Sequence, residues 1–458
     1  MNQNLPAAFI DQMKRLLGEE GFSKYLVSLD QSVTKALRIN LLRCPDGKAP
    51  CAIEGLGEEV PWARGAYFVE GDARPGLSPL HEGGLYYLQE PSALSSASVL
   101  EAKPGEKVLD LCAAPGGKST QLAAMMQGEG LIVCNEPIPS RAQILSRNIE
   151  RMGVRNAVVT CAYPAQLAPH FPCFFDKIMV DAPCSGEGMF RRQIEARDEW
   201  QENSPRGCAD RQMEILEEAA KMLAPGGRMV YSTCTFNDTE NEGVLRRFLE
   251  IHPEFALVPF MLNGLPEAKE GYLHLYPHEI RGEGHFVSLL EKSTDAPVIV
   301  DKPAASSKNE RRKGAKEQPR GKGKAAPAVQ APDVLAPDVK LNKLHLAGDS
   351  LWALPEGIEA DQLSGLRVLR TGLLVARMEG KRMEPDHALA MALSKSEAAR
   401  SAELDEKQAL DYQAGEALDL GDLPAGYTLL CHQGVPLGWG KQAGGVMKNH
   451  YPKGLRRR

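Results

Sequence analysis

Residues 107–120 read KVLDLCAAPGGKST, and this stretch decides the fold of the central part of the chain. The apolar run that ends at Asp110 predicts a strand, the Gly116-Gly117 pair predicts a tight turn, and the spacing of QLAAMMQ predicts a helix. Glycine lets the backbone approach a ligand closely, and the first turn of a helix offers free N–H groups. The spacing differs from Gly-x-Gly-x-x-Gly and from the Walker A motif, which disfavours NAD binding and ATP hydrolysis.

Outward from this stretch, strand-like and helix-like segments alternate between about residues 105 and 292. The strand-like segments are VLDLC, LIVCNEP, AVVTC, DKIMVDA, RMVYSTC and FVSLL, and the helix-like segments are QLAAMMQ, SRAQILSRNIERMG and QMEILEEAAKMLAPGG. Such alternation predicts βαβ units and a mainly parallel, doubly wound α/β sheet of Rossmann-like type. Because ligands bind at the carboxyl ends of the strands in such sheets, the residues after each strand are the candidates for function.

Glu136 ends the strand that follows the turn, twenty residues after Gly116. A carboxylate at that place can accept hydrogen bonds from both ribose hydroxyls of an adenosine-containing cofactor. The turn and Glu136 together therefore predict a cofactor site. A tight strand–helix turn without a ligand is the structural alternative.

Two cysteines follow strands directly and stand among polar residues. Cys184 lies in DAPCSGEG, residues 181–188, and Cys234 lies in STCT, residues 232–235. The ten cysteines contain no Cys-x-x-Cys pair and have no histidine-rich partner cluster, so we expect no metal. Most of them are predicted to be buried, reduced thiols.

The motifs LDLCAAPGGKSTQLA, DKIMVDAPCSGEGMFRR and LAPGGRMVYSTCTFNDTENE resemble those of the Nol/Nop/Sun family of RNA (cytosine-5) methyltransferases. ALRINLLR and LYYLQEPSA are similar to N-terminal motifs of that family. The ending GWGKQAGGVMKNHYPKGLR resembles the C-terminal PUA-like region of the bacterial F-type 16S rRNA methyltransferases. The resemblance implies a Rossmann-like methyltransferase domain with an N-terminal α+β domain and a C-terminal PUA-like, β-rich module.

The resemblance also implies S-adenosylmethionine as cofactor and assigns the catalytic residues. Cys234 would be the nucleophile that adds to C6 of cytosine, and Cys184 would help proton removal and product release. Asp181 would bind the cytosine N3/N4 edge, and Lys118 would orient Asp181 or lower the pKa of a nearby thiol. DNA (cytosine-5) methyltransferases use the cysteine at the position of Cys184 as nucleophile, but the Thr233-Cys234 pair favours the RNA scheme.

The same resemblance assigns the residues that bind the cofactor. They are Cys112, Ala113, Ala114, Pro115, Gly116, Gly117, Lys118, Glu136, Arg141 and Asp181. One departure concerns the adenine, near which several relatives place an acidic or amide residue. Here Cys161-Ala162-Tyr163 stands instead, so backbone contacts are the expected substitute.

Composition and the family resemblance together divide the chain into five expected segments. They are an N-terminal substrate-positioning domain (1–95), a methyltransferase domain (96–295), a basic and Pro/Ala-rich disordered linker (296–337), a module before the PUA-like region (338–395) and the PUA-like RNA-binding module (396–458). We expect Trp439 and Tyr451 to fill the core of the last module rather than to stack on RNA bases.

The formal net charge of −6 disfavours a chain whose whole surface binds nucleic acid. Residues 302–324, however, carry nine Lys/Arg against two Glu, so this stretch is +7 and the rest of the chain is −13. The stretch is either a solubilising spacer or a tether to phosphates. Arg191, Arg192, Lys448, Lys453 and residues 456–458 are further candidates for phosphate contacts.

These observations predict an S-adenosylmethionine-dependent methyltransferase that acts on RNA, with 16S rRNA or the small ribosomal subunit as the expected partner. A tRNA cytosine-5 methyltransferase is the alternative enzyme. A ribosome-assembly factor that binds RNA without catalysis is the alternative from another class. Neither an apolar run long enough to span a membrane nor a signal peptide is evident, so we expect a cytoplasmic protein with no membrane, DNA or metal partner.

Overall fold

The computed structural model describes residues 5–297, 330–380 and 382–457. The N-terminal elements are α1 (Ala7–Leu29), β1 (Lys35–Ile39), β2 (Leu56–Glu59), β3 (Ala66–Val69), α2 (Pro79–Glu82), β4 (Tyr86–Gln89) and α3 (Leu94–Leu100). The four strands form an antiparallel sheet in the order β2-β3-β1-β4. Helix α1 is kinked at Gly18, whose φ is +68°, and its Phe9 and Tyr25 pack against Phe190 and Phe236 of the central region.

The central elements follow the predicted alternation. They are β5 (Lys107–Asp110), α4 (Gly117–Met125), β6 (Leu131–Asn135), α5 (Pro139–Arg151), β7 (Ala157–Thr160), α6 (Pro164–Leu167), β8 (Phe175–Asp181), α7 (Ile194–Glu199), α8 (Ser204–Met222), β9 (Leu223–Thr233), α9 (Glu242–Ile251), β10 (Phe255–Leu257), β11 (Tyr272–Leu275) and β12 (His285–Lys292). All six strand-like segments predicted from the sequence overlap one of these strands.

Strands β5 to β9 are parallel and lie in the order β9-β8-β5-β6-β7, with β12 added antiparallel to β9. Buried apolar clusters cover both faces, as a doubly wound sheet requires. The predicted α/β, Rossmann-like fold class is confirmed. The chain leaves β5 toward β6 on one side and later returns to β8 on the other, so the turn after β5 lies at the topological switch point.

The C-terminal elements are mostly strands. They are β13 (Leu344–Ala347), β14 (Ser350–Ala353), β15 (Val368–Arg370), β16 (Leu373–Glu379), β17 (Arg382–Pro385), α10 (His387–Ala392), β18 (Ser401–Leu404), α11 (Glu406–Ala414), β19 (Gly426–His432), β20 (Val435–Ala443) and β21 (Val446–Asn449). Two four-stranded sheets result, β13-β14-β16-β17 and β18-β19-β20-β21. Trp439 and Tyr451 are buried, so the expectation that they fill a core is confirmed.

Strand β15 does not join either C-terminal sheet but pairs antiparallel with β7 at the edge of the central sheet. The backbone N–H of Cys161 donates to the carbonyl of Arg367 at 2.8 Å, and Arg370 pairs with Glu150 at 2.6 Å. The sequence analysis did not predict that a strand from the C-terminal region would pair with the central sheet. Its physical basis is that an edge strand has unpaired backbone groups that a segment from elsewhere can satisfy.

Most of the expected linker lies outside the described residues, which resume at 330. Its last residues differ from the prediction of a disordered segment. Val334 is buried in the C-terminal core, and Leu335 forms an isolated bridge with Ala398. This Val-Leu pair supplies the apolar surface that the flanking Ala/Pro sequence lacks. Within the described ranges, no helix is long and apolar enough to cross a membrane.

Candidate active site

The turn after β5 is shaped by two glycines and braced by the N-terminal sheet. Gly116 has a φ of +112°, a region that side chains strongly disfavour. A Cβ on Gly117 would lie 3.2 Å from Gln89 Cδ and 3.3 Å from Tyr87 Cε1. Arg38 Nη2 donates to the Gly117 carbonyl at 3.2 Å, so strand β1 holds the turn from the outside. The two glycines therefore let the turn pack closely against α5 and the N-terminal sheet.

Asp110, at the end of β5, presents an unsatisfied oxygen next to this turn. Ser119 Oγ donates to its Oδ2 at 2.6 Å, but the buried Oδ1 has no partner among the described residues. Burial raises the pKa of Asp110 to about 7, against the opposing hydrogen bond from Ser119. A buried carboxyl oxygen without a partner costs free energy unless a ligand supplies a donor. The turn therefore fits a cofactor that brings donor groups, such as the amino-acid part of S-adenosylmethionine.

Glu136 lies directly after β6 and is fully buried. Its Oε1 accepts the backbone N–H of Ile138 at 3.0 Å, and Arg141 Nη1 lies 3.4 Å from its Oε2. Arg141 Nη2 also donates to the Ala114 carbonyl at 3.1 Å. The structure thus brings the two residues together with the turn, and Arg141 bridges the two strand ends.

The two cysteines singled out in the sequence are in contact. Cys184 follows β8 and Cys234 follows β9, and their Sγ atoms are 3.0 Å apart. The backbone N–H of Cys234 also donates to Cys184 Sγ at 3.2 Å. The contact with Cys234 and burial together raise the pKa of the Cys184 thiol well above its usual value. Cys184 is therefore a neutral thiol at neutral pH.

Asp181 connects the loops that carry Cys184 and Cys234, here called the cysteine loops, to the turn at residues 112–118, here called the cofactor turn. Its Oδ2 lies 2.9 Å from Lys118 Nζ, and its Oδ1 accepts a hydrogen bond from Ser232 Oγ at 2.8 Å. Burial opposes ionisation, but Lys118, His285 and these hydrogen bonds outweigh it and hold the pKa of Asp181 below its usual value. The same pairing raises the pKa of Lys118 against the effect of burial. Lys118 and Asp181 thus form an ion pair at neutral pH.

His285 is a member of this network that the sequence analysis missed. It is fully buried at the start of β12, with Nε2 3.6 Å from Asp181 Oδ1 and 3.0 Å from Ser96 Oγ. Burial and the charge of Lys118 lower the pKa of His285 to about 3. One feature of the sequence could have pointed to this role: His285 immediately precedes FVSLL, the segment that forms β12. The antiparallel pairing of β12 with β9 brings His285 to the edge of the sheet where the two cysteines lie.

Arg191 does not face solvent, because its side chain is 5% exposed and forms a two-pronged pair with Glu283 at 2.7 and 2.8 Å. The expectation that it contacts phosphates is therefore wrong, whereas Arg192 is exposed.

At the expected adenine position, Cys161 is buried and Tyr163 is 67% exposed. In the part of the chain that the structure describes, no group of three or more His, Cys, Asp or Glu could hold a metal ion.

The fold and this site together define a Rossmann-like methyltransferase. Four family models match successive parts of the chain: the N-terminal domain of 16S rRNA methyltransferase RsmF (5–91), 16S rRNA methyltransferase RsmB/F (97–291), the RsmF rRNA methyltransferase first C-terminal domain (331–393) and the methyltransferase RsmF PUA domain (399–457). The chain is 33% identical to ribosomal RNA small subunit methyltransferase F of Erwinia tasmaniensis, over 98% of this chain and 96% of the relative. The protein of the same name from Escherichia coli O17:K52:H18 is 32% identical over the same shares.

Solved structures agree with this relationship. A methyltransferase homologue from Pyrococcus horikoshii is 27% identical, with a TM-score of 0.54 over 63% of this chain and 96% of the other. NSun6 from the same organism, solved with SFG, is 23% identical, with a TM-score of 0.56 over 64% of this chain and 100% of the other, and shows the fold. The chain belongs to the RsmF family of methyltransferases. It is an RNA methyltransferase that uses S-adenosylmethionine, and the predicted family, enzyme class and cofactor are confirmed.

Proposed function

We propose that this enzyme methylates C5 of a cytidine in 16S rRNA through a covalent adduct between Cys234 and C6 of the base. One observation carries the proposal: the two thiols lie 3.0 Å apart at the sheet edge that also holds Asp181, Lys118 and the cofactor turn. The name of the relatives supports the choice of rRNA. Because ribosomal RNA is the substrate, the proposed place of action is the cytoplasm.

The residues around Asp181 would hold the base and the cofactor. When bound, S-adenosylmethionine supplies an electrophilic methyl group on its sulfonium sulfur, and residues 112–118, Glu136 and Arg141 would hold it. The target base must leave its stack to reach Cys234. Asp181 would then bind the N3/N4 edge of the cytosine, with its carboxylate oriented by Lys118 and Ser232.

The thiols would carry the covalent steps. C5 of cytosine is a poor nucleophile, but addition of the Cys234 thiolate forms an S–C6 bond and places the displaced electron pair on C5, which can then accept the methyl group. Loss of the C5 proton to solvent, helped by Cys184, would restore the C5–C6 double bond, and the S–C6 bond would break with its electron pair returning to sulfur. Cys184 Sγ lies 3.0 Å from Cys234 Sγ, which places Cys184 next to the base that Cys234 would hold.

The RNA itself would be met by exposed cations along the C-terminal module and the catalytic loops. Arg192, Lys448 and Lys453 are exposed and available to neutralise phosphates. The basic stretch 302–324 would act as a further tether, and it lies outside the described residues. The β-rich module that matches the PUA family model is the proposed RNA-binding surface.

Bisulfite sequencing of total RNA from a strain that lacks this protein tests the proposal. One cytidine of 16S rRNA should lose its methylation and regain it when the wild-type chain is supplied. A newly unmethylated cytidine in tRNA, with rRNA unchanged, would overturn the rRNA assignment in favour of a tRNA enzyme. No change in any RNA would favour an assembly factor without catalysis.

A further inference from the structure

Two buried carboxylates flank the cysteine pair and form hydrogen bonds outside the network of Asp181 described above. Glu187 lies in the loop that carries Cys184, and Glu240 lies in the loop that carries Cys234; both are 0% exposed. Among the described residues, no Lys or Arg pairs with either carboxylate within 4.0 Å. A buried carboxylate without a counter-ion must be held by hydrogen bonds.

Glu240 reaches across to the loop of Cys184. Its Oε2 accepts the backbone N–H of Ser185 at 2.9 Å and Gln212 Nε2 at 3.0 Å. Its Oε1 accepts Asn237 Nδ2 at 2.8 Å and the hydroxyl of Ser185. All four partners donate, so only an acceptor with two free oxygens satisfies the site, and a glutamine would turn its NH₂ toward donors. Gln212 also donates to the carbonyl of Pro183, which precedes Cys184.

Glu187 reaches in the opposite direction, to the loop of Cys234. Its Oε2 accepts the backbone N–H groups of Phe236 at 2.9 Å and Asn237 at 3.1 Å. Its Oε1 accepts Gln12 Nε2 from α1 at 2.9 Å. Gly188 closes the arrangement, because its N–H donates to the Cys234 carbonyl at 2.8 Å and a Cβ there would lie 3.0 Å from that oxygen. Each cysteine loop thus supplies a carboxylate that accepts hydrogen bonds from the other cysteine loop.

We propose that this reciprocal pair, Glu187 and Glu240, which we name the carboxylate clasp, consists of positioning residues that fix Cys184 against Cys234 for product release. The proposal rests on the proposed roles of the two cysteines. Of the two thiols, attack on C6 requires only Cys234, whereas release requires Cys184 to act on the base that Cys234 holds. Loosening the two loops therefore slows release more than attack, because misplacement of about 1 Å can cost on the order of 10²-fold in rate.

Single-turnover kinetics on the full chain separate the two steps. The formation and the decay of the denaturation-stable RNA–protein adduct are followed on gels for wild type, Glu240→Gln, Ser185→Ala and Glu242→Gln. In Glu240→Gln, release should fall about tenfold and adduct formation less than about threefold, so that adduct accumulates. Ser185→Ala keeps the carboxylate and one of its two Ser185 donors, so it should show a smaller change in the same direction.

Glu242→Gln is the matched control, because the Glu242 side chain binds His274 at 2.6 Å and, among the described residues, forms no hydrogen bond with either cysteine loop. It should show wild-type rates for both steps. Equal slowing of formation and release in Glu240→Gln, or no change in either, would overturn the clasp. If Glu240→Gln does not fold, as thermal unfolding would reveal, Ser185→Ala decides the question by the same ratio of rates.

Cys234→Ala, run in the same assay, keeps the two proposals distinguishable. Adduct formation by Cys234→Ala would refute the proposed function, whatever the Glu240 variants do. Loss of the adduct in Cys234→Ala together with an unchanged ratio of rates in Glu240→Gln and Ser185→Ala would refute the clasp alone.

Discussion

The two halves of the catalytic sheet edge differ in where their supporting contacts come from. In the cofactor half, after β5 and β6, Asp110, Glu136 and Arg141 find partners 9, 2 and 27 residues away. In the cysteine half, after β8 and β9, the thiols meet across 50 residues, and Glu240 binds Ser185 across 55. The contacts of Asp110, Glu136 and Arg141 are therefore more local than those of the cysteine half, although Arg38 also holds the cofactor turn from 79 residues away.

This difference predicts how the halves respond to substitution. Changes in the cofactor half should alter cofactor affinity and leave the covalent chemistry intact. Changes to the two cysteines should alter the covalent steps and leave cofactor affinity intact, because the Lys118–Asp181 ion pair, rather than either thiol, connects this half to the cofactor turn.

Replacing Cys234 with alanine should have the largest effect. Without the thiol no S–C6 bond forms, so methyl transfer should fall by on the order of 10⁴-fold or more, with no covalent RNA adduct. Methylation of RNA with radiolabelled cofactor, together with gel analysis of adducts, measures both. Cofactor affinity, measured by calorimetry, should stay at the wild-type value. Continued methylation by this variant would show that Cys184 is the nucleophile.

Replacing Cys184 with alanine should have a smaller and opposite effect on the adduct. Attack by Cys234 still occurs, but proton removal and release slow by about 10²-fold, so RNA-linked protein accumulates. The measurement is the fraction of enzyme shifted on denaturing gels after incubation with RNA and cofactor. Cys44→Ala, in the N-terminal region, is the matched control and should accumulate no adduct. An adduct level in Cys184→Ala no higher than in wild type contradicts the assignment.

Replacing Glu136 with alanine tests the cofactor half. Loss of its charged hydrogen bonds, worth about 1.5–3 kcal/mol, should raise the KM for S-adenosylmethionine about 10- to 100-fold with kcat nearly unchanged. Arg141→Ala should raise it only a few-fold, because Arg141 is about half exposed and such ion pairs contribute little. Steady-state kinetics with varied cofactor separate KM from kcat. A fall in kcat without a change in KM would place Glu136 in the chemistry instead.

The same comparison explains what the sequence could predict. The turn at 112–118, Glu136 and the strands that carry Cys184 and Cys234 follow from local periodicity and from motifs. The contacts of His285 with Ser96 and Asp181, and the pairing of β15 with β7, join segments far apart in the chain. Hydrophobic periodicity and secondary-structure propensity hold no information about contacts between distant segments. These contacts can be identified only once the order of the strands in the sheet is known.

Arg191 shows the same limit of sequence analysis, because the predicted phosphate contact was wrong. An arginine pair after a catalytic loop looks like a phosphate contact, but Arg191 pairs with Glu283, 92 residues away, and is buried. The charge of a residue was visible in the sequence, whereas its partner was not. Arg192, the neighbouring residue, remains exposed.

Replacing His285 tests the network that joins β12 to Asp181, through the pH dependence of stability. The pKa of His285 is about 3 in the folded chain and near 6.5 when unfolded. Below pH 6.5 the unfolded chain binds a proton that the folded chain excludes, so the free energy of unfolding falls as pH falls. The contribution is about 1.4 kcal/mol per pH unit, or about 2 kcal/mol between pH 7 and pH 5.

The groups that face His285 make this slope specific. Ser96 does not titrate in this range, the lowered pKa of Asp181 keeps it ionised, and the raised pKa of Lys118 keeps it protonated, so none of them changes charge between pH 7 and pH 5. Asp110, whose pKa is about 7, is present in every variant and cancels in the difference. Between pH 7 and pH 5, the free energy of unfolding measured in urea should therefore fall by about 2 kcal/mol less in His285→Phe and in His285→Gln than in wild type. Two variants with the wild-type slope would mean that His285 is not held neutral by burial beside Lys118, and the cysteine half would lose its proposed link to β12.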